Sequence, residues 1–229
     1  MIRRPPRSTQ GVSSAASDVY KRQVIIPVKS FSKAKSRLNL SETKATQLCE
    51  IMLKEILQVV SETKLINDIL LVSKDESAFS IGKKFGCIEI MDEMESGVNN
   101  AVVLANEFLV EHKYSCSIVL PQDIPLIYPE DLGNLLRLYQ NRKYAIIVPS
   151  RYFDGTNALV RAPTPNIMTR YDEGSYKFQF ESIRKAKMKY SLALIHRIMI
   201  DVDNVVDVGY LTKQNIKPIF CNKIKEIFD

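Results

Sequence analysis

The chain of 229 residues contains no tryptophan, only two histidines, four cysteines and eight glycines. Each shortage closes off a class of protein. His112 and His196 have no companion at ligand spacing, so neither a zinc site nor a histidine-based triad is encoded locally. Cys49, Cys87, Cys116 and Cys221 form no C-x-x-C pair. The first three sit in apolar runs, where a thiol behaves as a small hydrophobe, and a reducing cytoplasm is the expected compartment. No apolar run reaches the roughly 18–20 residues that a membrane helix needs. Between Gly11 and Gly82 there is no glycine, and G-x-x-x-x-G-K is absent, which excludes a Walker loop.

What is present is an ordinary globular mixture. Hydrophobic residues make up 45 % and charged residues 25 %, which excludes disorder, collagen-like repeats and a disulfide scaffold. The net charge of +6 suggests a nucleic-acid partner until its distribution is examined. Residues 1–23 carry Arg3, Arg4, Arg7, Lys21 and Arg22 against Asp18 alone; without those five basic groups and one acid the rest carries +2. A nearly neutral body argues against nucleic acid. The opening stretch has no apolar period. It is Arg- and Ser-rich like an organelle transit peptide, while IRRPPRST and DVYKRQ resemble translated sequencing-adapter text. On either reading residues 1–23 are expected to be a disordered, artefactual leader that can be removed without effect, with one domain over 24–229.

From Val24 onward, short apolar runs alternate with amphipathic segments. Strands are expected at 24–28, 69–73, 87–91, 117–121 and 145–150, and helices at 41–60, 75–84, 98–110 and 129–139. Beyond 150 the expectations are a strand at 156–161, a helix at 175–188, β-like runs at 191–195 and 197–201, a helix at 205–213 and a short apolar–charged end. Strands that are apolar throughout and separated by helices imply an α/β fold: a single-domain, Rossmann-like, mainly parallel mixed sheet with helices on both faces. Ligands of such sheets bind beyond the carboxyl ends of the strands.

Three segments at those ends carry chemistry. The loop Lys29–Leu38 holds Lys29, Lys33, Lys35 and Arg37. Close cations repel unless they meet an anion or stay solvated, so the loop is either a polyphosphate cradle using Lys29, Lys35 and Arg37 or a solvated charge run. Asp123, fenced by Pro121 and Pro125, suits a metal ligand or a helix cap. Asp201 and Asp203 alternate across Val202, so in an extended segment both face one side and form a hard-oxygen site suited to Mg²⁺; Asp203 is also placed to cap the next helix.

Taken in order, PVKSFSKAKSRL, SGVNNAV, LPQDIPLI, FDGTNALVR, RYDEGSY and IDVDN resemble the 2-phospho-L-lactate guanylyltransferase family, which acts in biosynthesis of the deazaflavin coenzyme F-420. The resemblance covers residues 24–215. It implies a nucleotidyltransferase fold similar to GT-A domains, and GMP transfer from GTP to a phosphorylated three-carbon acid. By the same resemblance Asp123, Asp201 and Asp203 are metal ligands for Mg²⁺, and Lys29, Lys35 and Arg37 hold the triphosphate; with Asp123 these three are the expected catalytic residues. Gly97, Asn99 and Asn157 fall on the nucleotide side. Thr156, Asp172 and Ser175 fall on the acceptor side, with Thr156 and Ser175 holding phosphate and carboxylate partly through backbone N–H groups. The partners implied are GTP and the acid, with neither nucleic acid nor membrane, and with a homodimer as one form the chain can take.

Two departures from the family stand out. Asp172 occupies a position usually held by Gly, which raises the question of a positive φ and of a carboxylate near an anionic substrate. Phe178-Gln179 replaces a basic-His pair, removing a cation from the acceptor side. Two other classes compete with this reading: a different GT-A-like nucleotidyl or sugar-nucleotide transferase, whose usual glycine-rich first loop is missing here, and a nucleotide-binding module without catalysis. Three carboxylates that converge without a cation repel one another, so raised pKa values are expected in the empty site.

Overall fold

The computed structural model describes residues 21–138, 143–164, 167–172 and 174–228. Seven strands form one sheet: β1 (Arg22–Pro27), β2 (Asp68–Ser73), β3 (Ile88–Met91), β4 (Cys116–Val119), β5 (Tyr144–Pro149), β6 (Thr156–Ala162) and β7 (Lys189–Leu192), in the order β3-β2-β1-β4-β6-β5-β7. β6 runs antiparallel to both β4 and β5, and the remaining pairs are parallel. The expected mainly parallel mixed sheet is therefore present, and β6 is its one reversed strand.

Alternation along β1 shows how the layers form. Val24 and Ile26 turn to a core shared with α1 (Glu42–Glu62), α2 (Glu76–Lys83) and α4 (Pro129–Arg137), while Ile25 turns to the opposite face under α3 (Val98–Glu111). Farther along that face α5 (Ser175–Lys185) covers β5 and β6 through Ile183 against Ala145, Ile147 and Leu159. α1 is buried on two sides. Leu53, Ile56 and Leu57 meet the sheet, whereas Leu48 and Met52 meet α7 (Val205–Lys213) and α8 (Pro218–Phe228). Truncating any of these to Ala should cost about 2–5 kcal/mol, since transfer and cavity costs add.

The differences from the sequence reading are local. β1 opens at Arg22, pairing with Cys116, and Gln23 is buried in the strand, so regular structure begins before Val24. Residues 1–20 of the expected leader, and Tyr139 at the expected end of α4, lie outside the described residues. The β-like run expected at 197–201 is instead a single helical turn, α6 (His196–Met199), because the Ile198 and Met199 amides both return to the Ile195 carbonyl. Ile198 then enters the core beside β5 and β6, and Ile200 the one beneath α7 and α8. The short end expected after 213 contains α8, whose Phe220, Cys221, Ile224 and Ile227 bury one face at helical spacing. All four cysteines are free thiols, and no described helix is long and apolar enough to cross a membrane.

Candidate active site

A cavity of about 650 Å³ opens beyond the carboxyl ends of β1, β4 and β5 and the start of β6. Lys29, Lys35 and Arg37 reach it from the loop after β1, Asp123 from the loop after β4, and Asp201 and Asp203 from the segment between α6 and α7. Thr156, Asn157, Asp172 and Ser175 line the remaining side. Residues from Lys29 to Asp203 thus share one cavity.

Segment 201–203 is not a strand. Its Val202 amide donates to the Asp123 carbonyl at 2.9 Å, and the Asp203 and Asn204 amides donate to the Asp207 carboxylate at 3.1 and 3.0 Å. Asp207 is itself held by Arg151 at 2.7 Å. The two carboxylates face the cavity because their backbone is pinned from both ends. The cap of α7 is Asn204, whose side chain accepts from Val206 and Asp207, so Asp203 is free of the capping role.

Lys35 departs from its expected place among free phosphate donors. Its ammonium is buried between carboxylates, 2.8 Å from Asp123 and 3.2 Å from Asp203, in a residue held at φ 58°. Burial pulls its pKa down, yet Asp123 and then Asp203 outweigh that effect and hold it above the ordinary lysine value. Lys29 and Arg37 are exposed, and neither takes part in an ion pair among the described residues. They are the cations of this loop available to an incoming anion.

The acids are only partly balanced. Asp201 has no ion-pair partner among the described residues, and its carboxyl is pushed up to about 7, first by burial and then by Asp123 and Asp203. The expected repulsion is therefore present at Asp201, whereas Asp123 and Asp203 share Lys35. Among the described residues no three acidic, His or Cys side chains stand close enough to hold a metal ion as they are. The donor chemistry nonetheless fits a hard divalent cation: oxygen ligands on one cavity wall, with more negative charge than one ammonium offsets.

On the far wall the Ser175 hydroxyl donates to Thr156 Oγ1 at 3.2 Å, both residues buried. The Ser175 amide is already bonded to the Asp172 carbonyl, so the site offers hydroxyls here and not the expected Ser175 N–H. Asn157 donates to the Ile198 carbonyl at 3.0 Å, tying β6 to the segment that leads into Asp201. Asp172 does not have a positive φ; Gly174 takes that role at φ 72°. The Asp172 carboxylate accepts from Asn99 Nδ2 at 3.0 Å and Arg170 Nε at 3.3 Å, so its charge is answered locally. Gln179 is buried and donates to the Arg170 carbonyl, while the Arg170 guanidinium lies 5.8 Å from the Phe178 ring.

Gly97 and Asn99 do not line the cavity, although Val98 between them does. Gly97 is needed as the N-cap of α3, at φ 109°. Asn99 accepts from the Tyr171 amide at 2.7 Å as well as donating to Asp172, so it fastens α3 to the acceptor-side segment. Sequence reasoning missed Ser150, Asp154 and Gln122, which also line the cavity. The Ser150 hydroxyl holds the Asp154 carboxyl below its usual range and, with it, shapes the turn before Thr156. No spacing rule points to either residue; only the sharp β5–β6 turn brings them in.

Comparison with known proteins identifies related chains. The chain is 31 % identical over 191 residues to 2-phospho-L-lactate guanylyltransferase of Methanocaldococcus jannaschii, covering 82 % of this chain and 81 % of that one. It is 29 % identical over 190 residues to phosphoenolpyruvate guanylyltransferase of Conexibacter woesei, covering 82 % and 85 %. The fold is shared with 4-diphosphocytidyl-2C-methyl-D-erythritol synthase from Anaerococcus prevotii, with a TM-score of 0.60, 13 % identity and coverage of 86 % and 98 %. A cytidylyltransferase from Leptospira borgpetersenii has a TM-score of 0.57, 15 % identity and coverage of 90 % and 94 %. The profile of the family described as guanylyl transferase CofC like matches residues 22–214. Since that match runs from the first residue of β1 to the end of α7 and includes every loop around the cavity, the chain belongs to the CofC-like guanylyl transferase family.

Proposed function

We propose that this nucleotidyltransferase moves GMP from GTP onto the phosphate of 2-phospho-L-lactate or phosphoenolpyruvate, releasing pyrophosphate, in the assembly of coenzyme F-420. The observation that carries the reading is one cavity in which a cationic loop, a trio of carboxylates and a pair of buried hydroxyls meet. Those are the needs of a reaction between two anions.

The acceptor phosphate oxygen attacks the α-phosphorus of GTP; the new P–O bond forms as the bond to the β-phosphate oxygen breaks, and the electron pair leaves with pyrophosphate. The acceptor phosphate is already ionised near neutral pH, so no general base is required. Lys29 and Arg37 hold the β- and γ-phosphates and offset charge on the leaving group. Thr156 and Ser175 orient the acid from the opposite wall. Asp123, Asp201 and Asp203 would hold Mg²⁺, which would supply Lewis-acid withdrawal of charge from the α-phosphate. Lys35 keeps the carboxylates assembled through its pairs with Asp123 and Asp203.

The test is pyrophosphate release with each of the four nucleoside triphosphates against 2-phospho-L-lactate, phosphoenolpyruvate and phosphoglycerate, with mass analysis of the product. Turnover with GTP and a three-carbon acid, giving a product heavier than the acid by GMP less water, supports the reading. Release that needs no acid, or that favours CTP, overturns it.

A further inference from the structure

The loop after β1 would be expected to offer its backbone amides to phosphate if it worked like a glycine-rich loop. Here the amides of Ser30, Phe31, Lys33 and Ala34 are already used. The Ser30 amide donates to Glu95 Oε1, and the Phe31 amide to Asp75 Oδ2 at 2.8 Å. Lys33 and Ala34 donate back to the Ser30 and Phe31 carbonyls, closing the helical turn Phe31–Lys33. Asp75 does double duty, since its other oxygen caps α2 through the Ser77 and Ala78 amides. Glu95 also binds Lys33 Nζ at 2.8 Å. The Lys33 hydrogen bond, helped by the Ser30 amide and opposed by burial, holds the Glu95 carboxyl down at about 2.

Glu95 is fixed from behind. It sits at φ 46°, a region disfavoured for a side chain of this kind, with its amide bonded to Asp92. Asp92 is buried and also accepts from Asn100 of α3 at 2.7 Å. A chain of contacts therefore runs from α3 through Asp92 and Glu95 to the loop that carries Lys29, Lys35 and Arg37.

An acid beside a polyphosphate site has two opposite effects. Its charge repels the ligand, while its hydrogen bonds fix the ligand's donors. We propose that Glu95 is a positioning residue for the nucleotide triphosphate, clamping the Ser30 amide and Lys33 so that the loop presents side-chain cations along a set path. This rests on the reading of the cavity as a GTP site. The sign of the effect separates the clamp from plain electrostatics, because loss of a negative charge alone must tighten binding of a polyanion.

The experiment compares wild type, Glu95→Ala and Glu95→Gln by calorimetric titration with inorganic triphosphate and with Mg-GTP, alongside KM values for GTP and acceptor and the thermal midpoint. Glu95→Ala is expected to weaken binding of both probes at least tenfold and to raise the GTP KM similarly, leaving the acceptor KM within twofold. Glu95→Gln keeps an oxygen for the Ser30 amide and should recover most of the loss. Binding by Glu95→Ala equal to or tighter than wild type overturns the clamp. So do equal losses in both KM values, or a loss that Glu95→Gln does not relieve, since each marks general destabilisation. A wild-type protein that binds neither probe overturns the GTP reading, and the clamp with it.

Discussion

The two walls of the cavity are built from different interactions. The wall formed by the loops after β1 and β4 is ionic: Lys35 binds Asp123 and Asp203, and Lys33 binds Glu95. The wall formed by β6 and α5 relies on neutral contacts, the Ser175–Thr156 hydroxyl pair and the Asn157 amide on the Ile198 carbonyl. Before any ligand arrives, groups on the ionic wall serve as one another's counterions. Removing one partner of such a pair must disturb both stability and chemistry. A neutral hydroxyl can be removed at small cost to the fold, so a loss of function at the second wall is closer to a measure of contact with ligand.

The widest separation is expected within the ionic wall itself. Asp123→Asn and Asp201→Asn should each lower turnover by orders of magnitude, yet shift stability in opposite directions. Asp123→Asn leaves the Lys35 ammonium with Asp203 alone, at a cost of roughly 2–3 kcal/mol, less than stranding a fully buried ion. Asp201→Asn removes a carboxylate that burial and its neighbours oppose, so the ligand-free protein should be as stable as wild type or more so. Thermal midpoints beside turnover check this, and a stabilised Asp123→Asn protein would show that Lys35 is not bound there in solution. Loss of charge is thus expected to relieve strain at Asp201 but not at Asp123, whose carboxylate is paired with Lys35.

Next in size is Arg37→Ala. Arg37 is exposed with no ion pair among the described residues, so its removal should raise the GTP KM about tenfold, the loss of one charge-assisted contact. The thermal midpoint should stay within about a degree, as for an ordinary surface substitution. Normal kinetics would mean that Arg37 belongs to a solvated charge run. On the neutral wall, Ser175→Ala should raise the acceptor KM several-fold while costing only about 1 kcal/mol of stability, the net worth of one hydrogen bond. Equal effects on GTP and acceptor would erase the division between the walls.

The smallest effect concerns pH. The folded-state pKa of Glu95 is depressed to about 2 from an ordinary value of 4.5. Its contribution to stability is present in full above pH 4.5 and is lost as the pH falls through about 2. Urea midpoints measured between pH 5 and 2 should decline more steeply for wild type than for Glu95→Gln. Parallel curves would mean that Glu95 is unpaired in solution.

Much of this molecule is legible in its sequence because its inner strands are largely apolar on both faces and its helices follow the 3.6-residue period. Asp123, Asp201 and Asp203 stand out because carboxylates directly after apolar runs have few structural uses. The features that were not legible share a cause. Ile198 and Ile200 look like neighbours on a strand, yet each enters a different core, a division visible only once α7 and α8 lie against α1. Lys35 looks like one cation of four, and nothing local says that it alone is buried. Asn99 looks like a ligand contact because its motif borders the cavity, but its amide is spent on Tyr171 and Asp172, some seventy residues away. Asp203 suits a ligand or a cap equally until Asn204 takes the capping position with its own side chain.

The class of fold and the kinds of groups at the strand ends follow from periodicity, composition and motif order, which are properties of the chain read along its length. Which opposite charges meet follows from packing in three dimensions. Lys35 and Asp203 are 168 positions apart and Lys33 and Glu95 are 62. Coulombic partnership depends on distance and burial in space, and the chain encodes neither until its layers have packed.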